Sequence, residues 1–163
     1  MNFTHKFVQK ITTFKKTKQL MISKAVKTIL LIDDDSISNL LNTVFINKLN
    51  LDADIEAALN GKEGLDIILD KENPIQTPCL LLLDINMPTM DGWQFLEQYE
   101  KSVSKELQDE IAIVMLTISE QQSDEVKAKQ NPLIKEFVRK PLSEKSLTKL
   151  VTTYFKADAN AKV

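Results

Sequence analysis

From about residue 27 onward, the apolar residues of the chain follow two alternating patterns. Short runs of consecutive apolar or β-branched residues predict strands, and longer segments with apolar residues at helical spacing predict helices. Two of the runs, residues 79–83 and 111–116, are apolar throughout, which is typical of strands covered on both faces in the centre of a parallel sheet. The predicted strands are residues 28–32, 52–57, 79–83, 111–116 and 135–138.

A helix is predicted after each of these strands. Ser36 is placed to cap the first helix, and the apolar period of that helix runs through Leu40, Leu41, Val44, Phe45 and Leu49. The remaining four helices are predicted after Asn60-Gly61, from Gly92, over residues 119–130 and over residues 143–155.

Strict alternation of five strands and five helices predicts an α/β fold with a doubly wound parallel sheet. The crossover connections between parallel strands are right-handed and place helices on both faces of the sheet. Ligands of such sheets bind beyond the carboxyl ends of the strands, where the strand order reverses. The residues that follow each strand are therefore the candidates for function.

Composition limits the classes of protein that the chain can belong to. Of its 163 residues, 43% are apolar and 27% are charged, which suits one globular domain. No uncharged apolar run approaches the roughly 20 residues of a membrane span, and the N-terminal stretch lacks the apolar segment of a secretory signal, so we expect a cytoplasmic protein. The single cysteine, Cys79, excludes an internal disulfide and any multi-thiolate metal site, and the single histidine, His5, excludes two-histidine metal or catalytic sites.

Charge is distributed unevenly along the chain. Residues 1–32 contain seven of the 21 basic residues and no acidic residue, so the remainder has 14 basic and 23 acidic residues and a net charge of −9. An acidic body argues against nucleic acid as a partner, because phosphate contacts require a basic face.

The basic N-terminal segment, residues 1–26, is predicted to be a flexible leader before a domain over residues 27–156, with residues 157–163 as a short tail. Met21 is an alternative start to Met1. Phe3, Phe7, Ile11 and Phe14 recur at helical spacing between lysines, and a cationic amphipathic helix in contact with a membrane surface is the alternative interpretation.

Polar residues follow four of the five predicted strands directly. The first strand is followed by Asp33, Asp34 and Asp35, the third by Asp84, the fourth by Thr117, and the fifth leads into Lys140. Carboxylates that converge at one edge of a sheet repel each other, so a cation is required among them. A few oxygen ligands suit Mg²⁺, and Lys140 supplies a second positive charge. The three glycines permit neither glycine-rich phosphate-binding motif, so phosphate chemistry on an aspartate remains.

Four segments, in this order and at these spacings, resemble the receiver domain of two-component response regulators, a family with a flavodoxin-like fold. They are LLIDDDS (30–36), LLLLDINMPTMDG (80–92), VMLT (114–117) and FVRKPL (137–142). The resemblance covers about residues 28–156. It implies a signalling switch rather than an enzyme in the ordinary sense, one that is phosphorylated by a histidine kinase or a histidine phosphotransfer protein and acts on a downstream protein target.

The resemblance also implies a role for individual residues. Asp84 would be the phosphoacceptor, and Asp33, Asp34, Asp84 and the backbone carbonyl of Asn86 would hold Mg²⁺, with Asp33 acting through water. Thr117 and Phe137 would be the switch residues, Lys140 the cationic partner of the phosphoryl group, and the Lys140-Pro141 bond a candidate cis peptide.

The sequence departs from the family pattern at two positions. Ile118 stands where the family usually has alanine, serine or glycine, and we expect its side chain to narrow access to Asp84. Phe137 replaces the more common tyrosine, so no phenolic hydroxyl is available there.

Two other functions are compatible with parts of the sequence. Asp33 and Asp35 have the spacing of the aspartate pair of haloacid-dehalogenase-type phosphohydrolases, although the context of Asp84 and Lys140 fits receivers better. An interaction module that does not depend on phosphorylation is the third interpretation, and the complete acidic set argues against it.

Overall fold

The computed structural model of the chain describes residues 24–118 and 122–156. Its strands are β1 (Thr28–Ile32), β2 (Asp54–Ala58), β3 (Cys79–Asp84), β4 (Ile111–Thr117) and β5 (Ile134–Arg139). Its helices are α1 (Ser36–Lys48), α2 (Gly61–Leu69), α3 (Gly92–Ser102), α4 (Lys105–Asp109), α5 (Gln122–Gln130) and α6 (Glu144–Tyr154). Residues 1–23, which contain most of the predicted leader and Met21, and the tail after residue 156 lie outside the described residues.

The five strands form one parallel sheet in the order β2-β1-β3-β4-β5. All five predicted strands are confirmed, with ends shifted by at most two residues. The strand order reverses between β1 and β3, which are neighbours in the sheet with Ile32 opposite Leu83. The carboxyl ends of these two strands therefore flank the position where a doubly wound sheet binds its ligands.

Successive side chains of the central strands alternate between two apolar layers. Leu81 and Leu83 of β3 face a layer that includes Phe95 and Tyr99 of α3. Leu80 and Leu82 face the opposite layer, which includes Leu147 and Leu150 of α6. Because helices cover both faces, the continuously apolar runs in the sequence correctly predicted the centre of the sheet.

The structure contains one helix that the sequence pattern did not predict. Helix α4 is only five residues long, in the connection between α3 and β4, and the Ser104 hydroxyl accepts a hydrogen bond from the Leu107 N–H at its N-terminus. A single turn has no room for an apolar period, and for this reason the pattern gave no signal.

Of the five apolar residues that predicted α1, Phe45 and Leu49 pack against the core and the other three do not. Leu40, Leu41 and Val44 are 63%, 52% and 44% exposed, whereas Asn39, Asn42 and Ile46 are buried. The helix is capped by Asp35, not by Ser36 as predicted, and the Asn39 side chain donates a hydrogen bond to the backbone oxygen of Asp33. These two contacts fix the rotation of α1 and leave an apolar stripe on its outer face.

No helix in the described parts of the chain is long and apolar enough to cross a membrane.

Candidate functional site

Three carboxylates come together at the carboxyl ends of β1 and β3. One oxygen from each of Asp33, Asp34 and Asp84 lies within 4.8 Å of the others. Asp33 and Asp84 are buried, with 3% and 6% of their surface exposed, and Asp34 is exposed. Because β1 and β3 are paired directly, the residue after β1 and the last residue of β3 meet at the same point of the sheet edge.

The ammonium of Lys140 lies between the two buried carboxylates. Its Nζ is 2.5 Å from Asp33 Oδ2 and 3.2 Å from Asp84 Oδ1. The backbone N–H of Lys140 donates a 2.8 Å hydrogen bond to the carbonyl of Thr117, which ties the end of β5 to the end of β4. The Lys140-Pro141 peptide bond is cis, as the sequence predicted.

Burial and charge oppose each other at this site. Burial raises the pKa of Asp84, and the nearby Lys140 ammonium only partly counteracts that effect. Burial alone would lower the pKa of Lys140, but the hydrogen bond to Asp33 and the charges of Asp84 and Asp33 outweigh it and raise that pKa. Lys140 is therefore held in its charged form, and the site contains one fixed cation for three carboxylates.

Asp35, the third aspartate of the DDD sequence, caps helix α1. The Asp35 carboxylate accepts hydrogen bonds from the Ile37 N–H and the Ser38 hydroxyl at the start of α1, and these bonds lower its pKa, with the Ser38 bond the larger cause. The Asp35 N–H donates to Asp33 Oδ1 at 3.0 Å, which orients that carboxylate. The paired-aspartate arrangement of a phosphohydrolase is not formed, because Asp35 caps a helix.

Asn39 is a supporting residue that the sequence gave no reason to select. Its buried side-chain amide donates to the backbone oxygen of Asp33 at 2.9 Å. The one sign of this role in the sequence was the position of Asn39, a polar residue four positions after the helix cap in a helix predicted to be amphipathic.

Gly92, the first residue of α3, holds the loop after β3 close to Asp84. The Gly92 N–H donates to the carbonyl of Ile85 at 2.8 Å, and a Cβ on Gly92 would lie 2.5 Å from the carbonyl oxygen of Asp84. Asp91 and Gln94 form a capping box at the start of α3. Only glycine fits this close approach of α3 to the end of β3, and Asp91 caps the helix.

The other predicted site residues belong to the ends of β3 and β4 or to β5. Thr117 is fully buried at the end of β4, and Asn86 is exposed two residues after Asp84. Phe137 is half-buried and packs against the layer that contains α3. Ile118 is 78% exposed and lines a cavity together with Lys140.

The chain has clear relatives among known proteins. The model of the response regulator receiver domain family matches residues 29–152. A probable methanogenesis regulatory protein, FilR2 of Methanothrix harundinacea, is 31% identical over 76% of this chain and 77% of its own length. The two-component response regulator ARR22 of Arabidopsis thaliana is 26% identical over 88% of this chain and 94% of its own length.

Solved structures of response regulators have the same fold as this chain. A two-component response regulator from Cytophaga hutchinsonii superimposes with a TM-score of 0.70 at 26% identity, over 79% of this chain and 96% of its own. Its likeness agrees with the parallel five-stranded sheet of this chain. Sequence, topology and site geometry thus lead to one conclusion: the chain belongs to the family of response regulator receiver domains.

Proposed function

We propose that this protein is a phosphorylation switch in which Asp84 accepts a phosphoryl group. The proposal rests on a cluster of three carboxylates, two of which contact the Lys140 ammonium, with Asp84 Oδ1 3.2 Å from Lys140 Nζ. Asp33 is already held by the Asp35 N–H and by Lys140, and Asp34 is exposed, so Asp84 is the remaining buried carboxylate beside the ammonium. It is the best-placed nucleophile of the three.

A divalent cation fits the donor set. Receiver domains bind Mg²⁺ through an acidic cluster, and the oxygens of Asp33, Asp34 and Asp84 form such a cluster here. Three carboxylates and one ammonium leave an excess of negative charge that a divalent ion neutralises, and hard oxygen ligands suit Mg²⁺. We assign Asp33, Asp34, Asp84 and the Asn86 carbonyl to this ion. When bound, it would reduce the repulsion between Asp84 and an incoming phosphoryl group.

The transfer itself needs little from the protein beyond position and charge. An oxygen of Asp84 forms the new bond to phosphorus as the bond from phosphorus to the nitrogen of the donor histidine breaks, and the histidine keeps that electron pair. Lys140 neutralises charge on the phosphoryl oxygens, and the Thr117 hydroxyl donates a hydrogen bond to one of them. We propose that Thr117 and Phe137 then move together and carry the change to a surface that binds a downstream protein.

The surroundings of the site favour a protein as the phosphodonor. The outer face of α1 carries an apolar stripe, which we define as Ile37, Leu40, Leu41 and Val44, with 44% to 67% of each residue exposed. Exposed apolar surface of this kind beside a reactive group indicates a protein contact. We propose a histidine kinase or histidine phosphotransfer protein as the partner. A cytoplasmic location remains a prediction from the sequence.

Variants at the two kinds of aspartate test the proposal. The protein is incubated with a small phosphodonor in Mg²⁺ or in chelator, and its intact mass is followed. The parent protein and Asp35→Asn, whose changed residue only caps α1, should gain one phosphoryl group in Mg²⁺, and Asp84→Asn should gain none. Phosphorylation of Asp84→Asn at the rate of the parent would refute the assignment.

Metal binding is tested separately. Asp34→Ala should bind Mg²⁺ more weakly by about tenfold or more, because few carboxylates hold this ion and its waters. The titration is followed through the fluorescence of Trp93, the only tryptophan. An unchanged midpoint in Asp34→Ala would rule out Asp34 as a ligand.

A further inference from the structure

A cavity of about 600 Å³ lies beside the acidic site, between α1 and the connection from β5 to α6. Its volume is in the range of about 300 to 1,000 Å³ that is typical of small-molecule sites. The walls are mainly apolar, and they come from three separate parts of the chain. The apolar lining residues are Leu41, Phe45, Leu116, Ile118, Pro141 and Leu142.

One polar lining residue of this cavity has no partner. Asn42 is 6% exposed, and its side chain forms no hydrogen bond with any residue in the described ranges 24–118 and 122–156. Its neighbour on the same face of α1, Asn39, is equally buried but donates to the backbone oxygen of Asp33. Because the Asn42 carboxamide opens into the cavity, a group that enters and pairs with it would form a hydrogen bond that no described residue supplies.

The charged and hydroxyl groups around the cavity are already paired. Lys140 is held by Asp33 and Asp84, and Glu144 lies 3.7 Å from Lys48. The two serine hydroxyls of the lining are also paired, that of Ser38 with Asp35 and that of Ser143 with Ser146. The neutral amide of Asn42 is therefore the polar group left to receive a ligand, and an uncharged ligand is the one that leaves the ion pairs intact.

We propose that this cavity binds a small uncharged molecule with a flat apolar body and an amide-like edge, one donor beside one acceptor, that pairs with Asn42. The body would lie among Leu41, Phe45 and Leu142, and the edge would satisfy the carboxamide. A molecule in this position would stand next to Ile118 and Lys140, on the approach to Asp84, and would slow phosphorylation. That last consequence rests on the proposed function, whereas the binding itself does not.

Benzamide is a suitable probe, because it joins a planar apolar ring to a carboxamide. Its binding is followed in the full chain by ¹H–¹⁵N spectra of the asparagine side-chain amides, without any phosphodonor. We expect the Asn42 signal to shift with a dissociation constant on the order of 1–10 mM, as a fragment of this size allows. The signal of Asn47, which is exposed on the same helix, serves as the internal control and should not move.

Asn42→Leu provides the matched variant. It should remain folded and unfold at a temperature no lower than the parent does, because it removes an amide that no described residue pairs and adds an apolar group of similar size beside the apolar walls of the cavity. It should bind benzamide about five- to tenfold more weakly and should bind toluene at least as tightly as the parent does. The combination of weaker benzamide binding and retained toluene binding separates loss of the hydrogen bond from loss of the cavity.

Two results would overturn the proposal. The first is equal benzamide affinity in the parent and in Asn42→Leu, since the carboxamide would then play no part. The second is an absence of shifts at Asn42 with shifts confined to the apolar stripe of α1, in which case the surface serves a protein partner. If the parent binds benzamide at Asn42 but Asp84 is not phosphorylated, the binding site is supported and only the proposed function is refuted.

Discussion

Lys140 is the only cation that the described residues place in the acidic site, so its replacement by methionine is the most informative perturbation. Methionine keeps a similar apolar length but removes the ammonium that contacts Asp33 and Asp84. At an effective dielectric constant near 20, one pair of unit charges 3.2 Å apart attracts by about 5 kcal/mol. Desolvation of the ammonium, whose side chain is only 14% exposed, offsets part of this attraction.

We expect Lys140→Met to lower the free energy of unfolding by about 2–4 kcal/mol at pH 7 in chelator. Removal of one partner from a buried ion pair typically costs about 3–5 kcal/mol. We expect a smaller loss of unfolding free energy here, because Asp84 can take up a proton and lose its charge. Burial already raises the pKa of Asp84, and loss of the ammonium would raise that pKa further. A carboxyl with a raised pKa contributes stability at low pH that is lost as the pH rises through its pKa in the folded state. The deficit of Lys140→Met should therefore shrink as the pH is lowered from 7 toward about 4.

Urea unfolding at several pH values, with and without Mg²⁺, measures this effect. Mg²⁺ should stabilise Lys140→Met more than it stabilises the parent, because the ion replaces a missing charge. Lys149→Met is the matched control, since Lys149 forms an exposed ion pair with Glu136 and should change stability by less than about 1 kcal/mol. Equal stability of Lys140→Met and the parent at pH 7, or a deficit that responds to neither pH nor Mg²⁺, would refute the electrostatic description of the site.

Three further predictions concern other parts of the chain. Ile118→Ala should speed both phosphorylation by a small phosphodonor and loss of the phosphoryl group to water, as followed by intact mass; unchanged rates would mean that Ile118 does not restrict access. Deletion of residues 1–20 should leave the unfolding temperature and phosphorylation unchanged in calorimetry and mass assays, and a marked drop in that temperature would show that the leader packs on the domain. Tyr99→Phe should leave stability unchanged or raise it by up to about 1 kcal/mol in urea unfolding, because the buried Tyr99 hydroxyl has no hydrogen-bond partner among the described residues. A loss of more than about 1 kcal/mol would reveal a partner for that hydroxyl.

The sheet was predictable because its central strands are buried on both faces. A run such as residues 79–83 cannot be placed elsewhere without exposing apolar surface, so its short, continuously apolar composition indicated a buried strand. The polar residues that end these strands then had to meet at one edge, which is why the cluster of Asp33, Asp34 and Asp84 could be expected from sequence.

The rotation of α1 was not predictable in the same way. A hydrophobic period indicates the core only if the apolar residues are the buried ones, and here only Phe45 and Leu49 of the period pack against the core, while its other residues belong to the exposed stripe. The buried face is set by Asp35 at the helix cap and by the hydrogen bond from Asn39 to the backbone of Asp33, which are contacts between neighbouring elements. Local pattern contains no information about such contacts, and for the same reason the unpaired amide of Asn42 became visible only in the structure.

Identification of the phosphorylated residue tests the central claim most directly. The protein is treated with a small phosphodonor in Mg²⁺, the acyl phosphate is trapped by reduction, and the modified position is located by peptide mass spectrometry. Our account predicts a single modification at Asp84, absent in chelator and absent in Asp84→Asn. A modification at Asp33, Asp34 or any hydroxyl, with Asp84 unmodified, would contradict it.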